Sequence, residues 1–154
     1  MNWKIVFIGG VAYYLVQFLV STVTGYFIHS PEAGVLADAY RATASFWRPE
    51  LNRIPPDTSL VLTMWVPSGL IGSFLLAGVY AVMRPSLAGP GWLRGLKFGL
   101  VVVIFGIVNA LGYRGRFDLP DQIWIWSMIG ATLTNLPAGT VLGWLSQKFA
   151  PVKA

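Results

Sequence analysis

Four apolar runs, each close to the roughly 20 residues that carry a helix through the hydrocarbon of a bilayer, constrain this 154-residue chain more than any other feature. They cover about residues 4–28, 59–83, 93–113 and 122–146. Bilayer interiors offer no water to backbone groups, so each run must satisfy its own N–H and C=O groups, which the α-helix does without a partner strand. With 55% hydrophobic and only 11% charged residues, the chain reads as all-α, an integral membrane four-helix transmembrane bundle forming one domain over residues 1–154. The first run is too long for the apolar segment of a signal peptide and is expected to be a retained span.

Charge gives an orientation. Lys4, Arg84, Arg94, Lys97, Lys148 and Lys153 fall at the two termini and in the short second connection, a side without any acidic residue. All six acids, Glu32, Asp38, Glu50, Asp57, Asp118 and Asp121, fall in the other two connections. The positive-inside rule then places both termini in the cytoplasm of a bacterial-type plasma (inner) membrane. Trp47, Trp124 and Trp126 would sit at the outer interface, and Trp3, Trp92 and Trp144 at the inner one. The net charge of +5 comes from residues flanking the spans, not from a basic run, so no nucleic-acid partner is expected. With no cysteine and one histidine, no metal site or other cofactor is expected.

The first outer connection, residues 29–58, is too long for a turn and too aromatic for a plain linker. Ser30-Pro31-Glu32 reads as a helix start, and Val35, Leu36, Ala39, Tyr40, Phe46 and Trp47 recur at helical spacing up to Arg48-Pro49. A short amphipathic helix is expected there, lying on the membrane surface or capping the bundle, with a surface loop as the alternative. Asp57 or Thr58 is expected to cap the second span.

Every span has a face of small or polar residues. Gly9, Tyr13, Gln17, Ser21 and Gly25 lie along the first, Gly69, Ser73 and Ala77 along the second, and Gly99, Gly106 and Ala110 along the third with Asn109 beside them. Ala131, Asn135, Gly139 and Gly143 are spaced by four along the fourth. Helix association in lipid relies on close backbone approach and interhelical hydrogen bonds, so these faces should meet. Gly25-Tyr26 and Gly112-Tyr113, followed by Pro67-Ser68-Gly69 and Pro137-Ala138-Gly139, suggest a tandem two-span repeat, with chance recurrence of Gly and Pro as the alternative.

The intramembrane polar candidates are Gln17, Ser21, Asn109, Thr134 and Asn135. Gln17 and Asn135 stand halfway along their spans, where an unpartnered amide costs several kcal/mol, so they are expected to face one another as interhelical glue or to line a wet pathway. Pro67 and Pro137 each remove one backbone bond, to the carbonyls of Thr63 and Leu133, and read as kinks. His29, Glu32, Arg48, Arg114, Arg116, Asp118 and Asp121 form a candidate outer polar cluster, and Arg84, Arg94 and Lys97 an inner basic collar for lipid head groups. No charged residue stands in mid-span, which argues against a proton-coupled carrier built on a buried acid.

Thr132-Leu133-Thr134-Asn135-Leu136, running on to Gly139 and Gly143, resembles the glycine- and asparagine-bearing span of small dual-topology fluoride channels. The threonine- and phenylalanine-rich third span of that family is missing and the charge bias here is clear, so no site is carried over. The leading expectation is a non-enzymatic accessory or structural subunit, or a lipid-binding component, whose partners are membrane lipids and a second copy or a larger membrane complex. The alternatives are a small channel or transporter around Gln17, Asn109 and Asn135, and an enzyme acting on lipid at the outer interface through His29, Asp118 and Asp121.

Overall fold

The computed structural model describes residues 2–151. Among them there is no strand, and the long helices are α1 (Ile5–His29, opened by a π-helical turn over Ile5–Gly9), α3 (Ser59–Met83), α4 (Gly91–Arg114) and α5 (Asp121–Phe149). Between α1 and α3 stand a short helix, α2 (Ala37–Ala42), and a 3-10 turn, Ala44–Phe46. A second 3-10 turn, Arg84–Ser86, leads from α3 towards α4. Three helices, Ile5–His29, Leu62–Ser86 and Gly91–Arg114, are long and apolar enough to cross a membrane. α3 and α5 run unbroken through Pro67 and Pro137.

The helices pack in the order α4, α5, α1, α3, with α4 and α5 the most intimate pair. The reason is glycine at four-residue spacing on both sides of the seam: Gly91, Gly95 and Gly99 on α4 face Asn135, Gly139 and Gly143 on α5. A methyl group built on Gly139 would lie 2.5 Å from the Gly95 carbonyl oxygen, and one on Gly99 would lie 2.6 Å from that of Asn135. The obstacle is backbone in each case, so any side chain would force the helices apart.

The buried core lies towards the end that carries both termini. Ile5, Tyr13, Ala77, Tyr80, Phe98, Ala138 and Leu142 draw all four long helices together there, and the Tyr80 and Phe98 rings stand 5.3 Å apart. The outward faces are apolar. On α5, Ile125, Ile129 and Leu133, one turn apart, are each at least 38% exposed, as are Leu100, Ile104 and Val108 on α4.

The connection after α1 differs from its expected form. Its helix begins at Ala37, not near Pro31, because residues 30–36 have another task. The Val35 and Leu36 N–H groups donate to the Phe27 and Ile28 carbonyls at 3.0 and 3.1 Å, which completes the end of α1. Gly34 permits this fold-back, since a methyl there would meet the Ser30 backbone at 2.6 Å. Leu36, Ala39 and Thr43 then turn inward, with Leu36 and Ala39 against Ile28 and Ile123, so α2 caps the loop end of α1 and α5. Asp57 takes the capping role at α3, where its Oδ1 accepts from the Ser59 N–H at 3.2 Å and the Ser59 hydroxyl at 2.6 Å. These bonds hold the Asp57 carboxyl below its ordinary range.

The seam gives a direct test. Gly139→Ala is expected to lower stability by about 1–3 kcal/mol through overpacking against backbone. Gly130→Ala, which meets open space, should be neutral or stabilising by up to about 1 kcal/mol from helix propensity. Thermal unfolding in detergent, followed by circular dichroism, reads both, and equal midpoints for the two variants would rule out the close approach.

Candidate functional site

Near the middle of α1, α3 and α5 the polar side chains find one another. The Tyr13 hydroxyl donates to Asn135 Oδ1 at 2.8 Å, and Gln17 Nε2 donates to the same oxygen at 3.0 Å. Ser73 Oγ donates to Gln17 Oε1 at 3.1 Å, while Asn135 Nδ2 donates to the Ala131 carbonyl one turn back at 2.8 Å. Ser73 and Tyr13 are fully buried. Both lone pairs of the Asn135 oxygen are therefore used, and the Gln17 amide is held from both ends between two helices. Four-residue spacing on α1 puts Tyr13 and Gln17 on one face, towards α5.

The other intramembrane candidates stand apart from this junction. Ser21 is exposed on α1, and Thr134 is half-buried beside Asn135 without joining it. Asn109 is exposed and lines an open groove with Gly106, Gly112 and Tyr113 on α4. Gln17 and Asn135 are thus in direct contact, and Asn109 lies on the surface of α4.

The candidate outer cluster separates into local pairs. Nδ1 of His29 and Oη of Tyr40 are 2.5 Å apart, one donating to the other. The Arg114 guanidinium clamps both oxygens of Asp121 at 2.8 Å, tying the end of α4 to the start of α5. That pairing also sets a cation at a helix C-terminus and an anion at a helix N-terminus, where each is favoured. Glu32, Arg48, Arg116 and Asp118 are exposed, and no hydrogen bond or ion pair among the described residues links them to either pair.

The expected basic collar at the other end also divides. Arg84 is 8% exposed and reaches across to α5, donating to the carbonyls of Ser146, at 3.5 Å, and Ala150. It caps the end of α5 and is withdrawn from the surface. Lys97 is exposed and donates to the Ala88 carbonyl at 2.9 Å. Arg94 is half-buried, with its Nε enclosed and lacking an acceptor. Gln147 on α5 accepts the Gly91 N–H, satisfying a donor at the start of α4. Lys153 lies outside the described residues.

Two residues have roles that the sequence does not announce. Tyr13 was placed on the polar face of α1 without a bonding role, and its ring hydroxyl proves to be the second donor to Asn135. Arg84, expected to face lipid head groups, turns inward to the end of α5. Spacing by four gave the signal for Tyr13, whereas local sequence carries none for Arg84, whose acceptors are 62 and 66 residues away.

Comparison with protein families, with curated proteins and with solved structures finds no match to this chain.

The His29–Tyr40 pair makes a pH prediction. Burial pushes the Tyr40 hydroxyl up to about 12, so the folded chain favours its neutral form. The stability it contributes is complete below the ordinary tyrosine value near 10 and is lost as pH rises through about 12. In an ultraviolet titration of phenolate, the amplitude that Tyr40→Phe removes should come from the late part of the curve, near pH 12, and loss of that amplitude near pH 10 instead would refute it.

Proposed function

We propose that the chain is a four-span integral membrane protein with a non-enzymatic, structural role, an accessory subunit in a larger membrane complex. α5 joins the three strongly apolar helices as the fourth span. Its polarity is masked internally, since Ser127, Thr132 and Thr140 each donate to the carbonyl one turn back at 2.6–2.8 Å. Its Ile125, Ile129 and Leu133 face outward as lipid contacts. The short connection between α3 and α4, which carries Arg84, Arg94 and Lys97 at its margins and no acid, supports cytoplasmic termini in a bacterial-type plasma membrane.

One observation carries the structural role: the mid-depth polar groups bond one another across three helices, Ser73 to Gln17 to Asn135 with Tyr13, and so hold helices together. Interhelical bonds of this kind contribute about 0.6–2 kcal/mol each in membrane proteins. The dispersal of His29, Asp118 and Asp121 weighs against an interfacial enzyme, which would need them beside a nucleophile.

Asn135→Leu and Gln17→Leu should each lower the unfolding midpoint. The double variant should lose about 0.5 kcal/mol or more less than the sum, because the two residues share one bond. Proteoliposome flux is the counter-test: if the folded Gln17→Leu variant abolishes movement of an ion or small solute that the native chain conducts, the junction is a pathway. Extraction of the native chain from its own membranes in mild detergent should bring down a partner, and migration alone at monomer size would sink the subunit role.

A further inference from the structure

The half of α4 farthest from the termini carries polar and charged side chains that the chain itself leaves unmatched. An open groove runs along it, lined in part by Gly106, Asn109, Gly112, Tyr113 and Arg116. Every residue from Leu111 to Asp118 is exposed. Asn109 precedes the last residue of α4, Arg114, by five positions, which sets it roughly 7–8 Å inside the span at the rise of an α-helix. Its amide is exposed and makes no hydrogen bond among the described residues, whereas the other two amides deep in the spans, Gln17 and Asn135, are both bonded. Just beyond the helix, Arg116 and Asp118 are exposed and unpaired, although Arg114 and Asp121 on either side of them hold one another.

An amide that faces hydrocarbon has no water to bond and is drawn to another helix. A second copy of this chain answers each unmatched group. About a two-fold axis along the membrane normal, residues near the axis meet their own counterparts, and residues farther out meet in reciprocal pairs. A carboxamide is donor and acceptor at once, so Asn109 is complementary to Asn109 of the second copy. Arg116 and Asp118 stand two residues apart at one depth, so each copy's arginine can meet the other copy's aspartate. One contact thereby uses both charges twice, and an unlike partner would have to bring the two opposite charges itself. The groove admits a second helix because Gly106 and Gly112 put no side chain on its floor; a methyl built on Gly112 meets no atom within 4 Å.

We propose that this groove of α4 is the interface of a homodimer, with Asn109 amides paired inside the membrane and reciprocal Arg116–Asp118 ion pairs at its surface. The assignment rests on the membrane-spanning reading given above, and not on the accessory role.

The chain contains no cysteine, so a single introduced thiol reports the contact in proteoliposomes. Gly112→Cys, whose added Cβ meets open space, should give a disulfide-linked dimer on mild oxidation, and Leu75→Cys on the exposed face of α3 should not. Sedimentation in mild detergent reads the strength of the dimer. Asn109→Leu should weaken it about tenfold through loss of the interhelical bonds. Arg116→Asp and Asp118→Arg should each favour the monomer, because each rim then carries one sign of charge. An equimolar mixture of these two variants should recover the dimer, since the mixed pair restores both ion pairs, and that recovery also shows both to be folded. A mixture no more dimeric than its parts, equal cross-linking from Gly112→Cys and Leu75→Cys, or an undiminished dimer for Asn109→Leu overturns the proposal. So does a native chain that is monomeric in liposomes and holds lipid or an unlike protein in the groove. A chain that cannot enter liposomes would defeat the membrane reading and this proposal with it, whereas a monomer within liposomes defeats this proposal alone.

Discussion

The backbone contact between α4 and α5 sets the geometry on which the rest depends. Gly91, Gly95 and Gly99 let the two helices meet without side chains between them, opposite Gly139 and Gly143. At its far side the same seam includes Asn135, whose carbonyl oxygen faces Gly99. A residue whose backbone is pressed against α4 must send its side chain elsewhere, and it points to α1, where Tyr13 and Gln17 donate to it. Close packing on one face of α5 and hydrogen bonding on the next are thus two results of one rotational setting.

That coupling explains why the small and polar residues are interleaved along the chain. Lipid competes with apolar side chains for every helix face, so burying leucine against leucine gives little net drive. Glycine gains dispersion contacts through proximity, and amides gain from a medium in which their bonds have no aqueous rival. The α4–α5 seam uses the first device and the α1–α3–α5 junction the second. α3 is joined through Ser73 to Gln17 and through the Tyr80–Phe98 contact, which makes Gln17 the link between the row's last helix and its centre.

Much of this was legible in the residues, and the exceptions have physical causes. The apolar runs mark the four long helices, three of them apolar enough to cross a membrane, and four-residue spacing finds Ala131, Asn135, Gly139 and Gly143 because one helix face repeats at that interval. Arg94 and Lys97 obscure the glycine series: with charges near its start, the third run reads as beginning at about residue 93, which leaves Gly91 outside it, and Gly95 stands between the two cations where no apolar face is legible. The opening of α2 was misplaced since Ser30-Pro31 has the chemistry of a helix start, yet the Val35 and Leu36 N–H groups are taken by α1. The outer charged residues read as one cluster because sequence gives their side of the bundle and not their partners. In space they are two pairs, His29 with Tyr40 and Arg114 with Asp121, and four exposed residues.

Arg84 shows why a charge at a span's end is ambiguous from sequence. A cation just past the apolar run can turn outward to phosphate or inward to the carbonyls that end a neighbouring helix, and both settings stabilise it. The choice rests on whether a helix C-terminus lies within reach, and the end of α5 supplies one at Ser146 and Ala150.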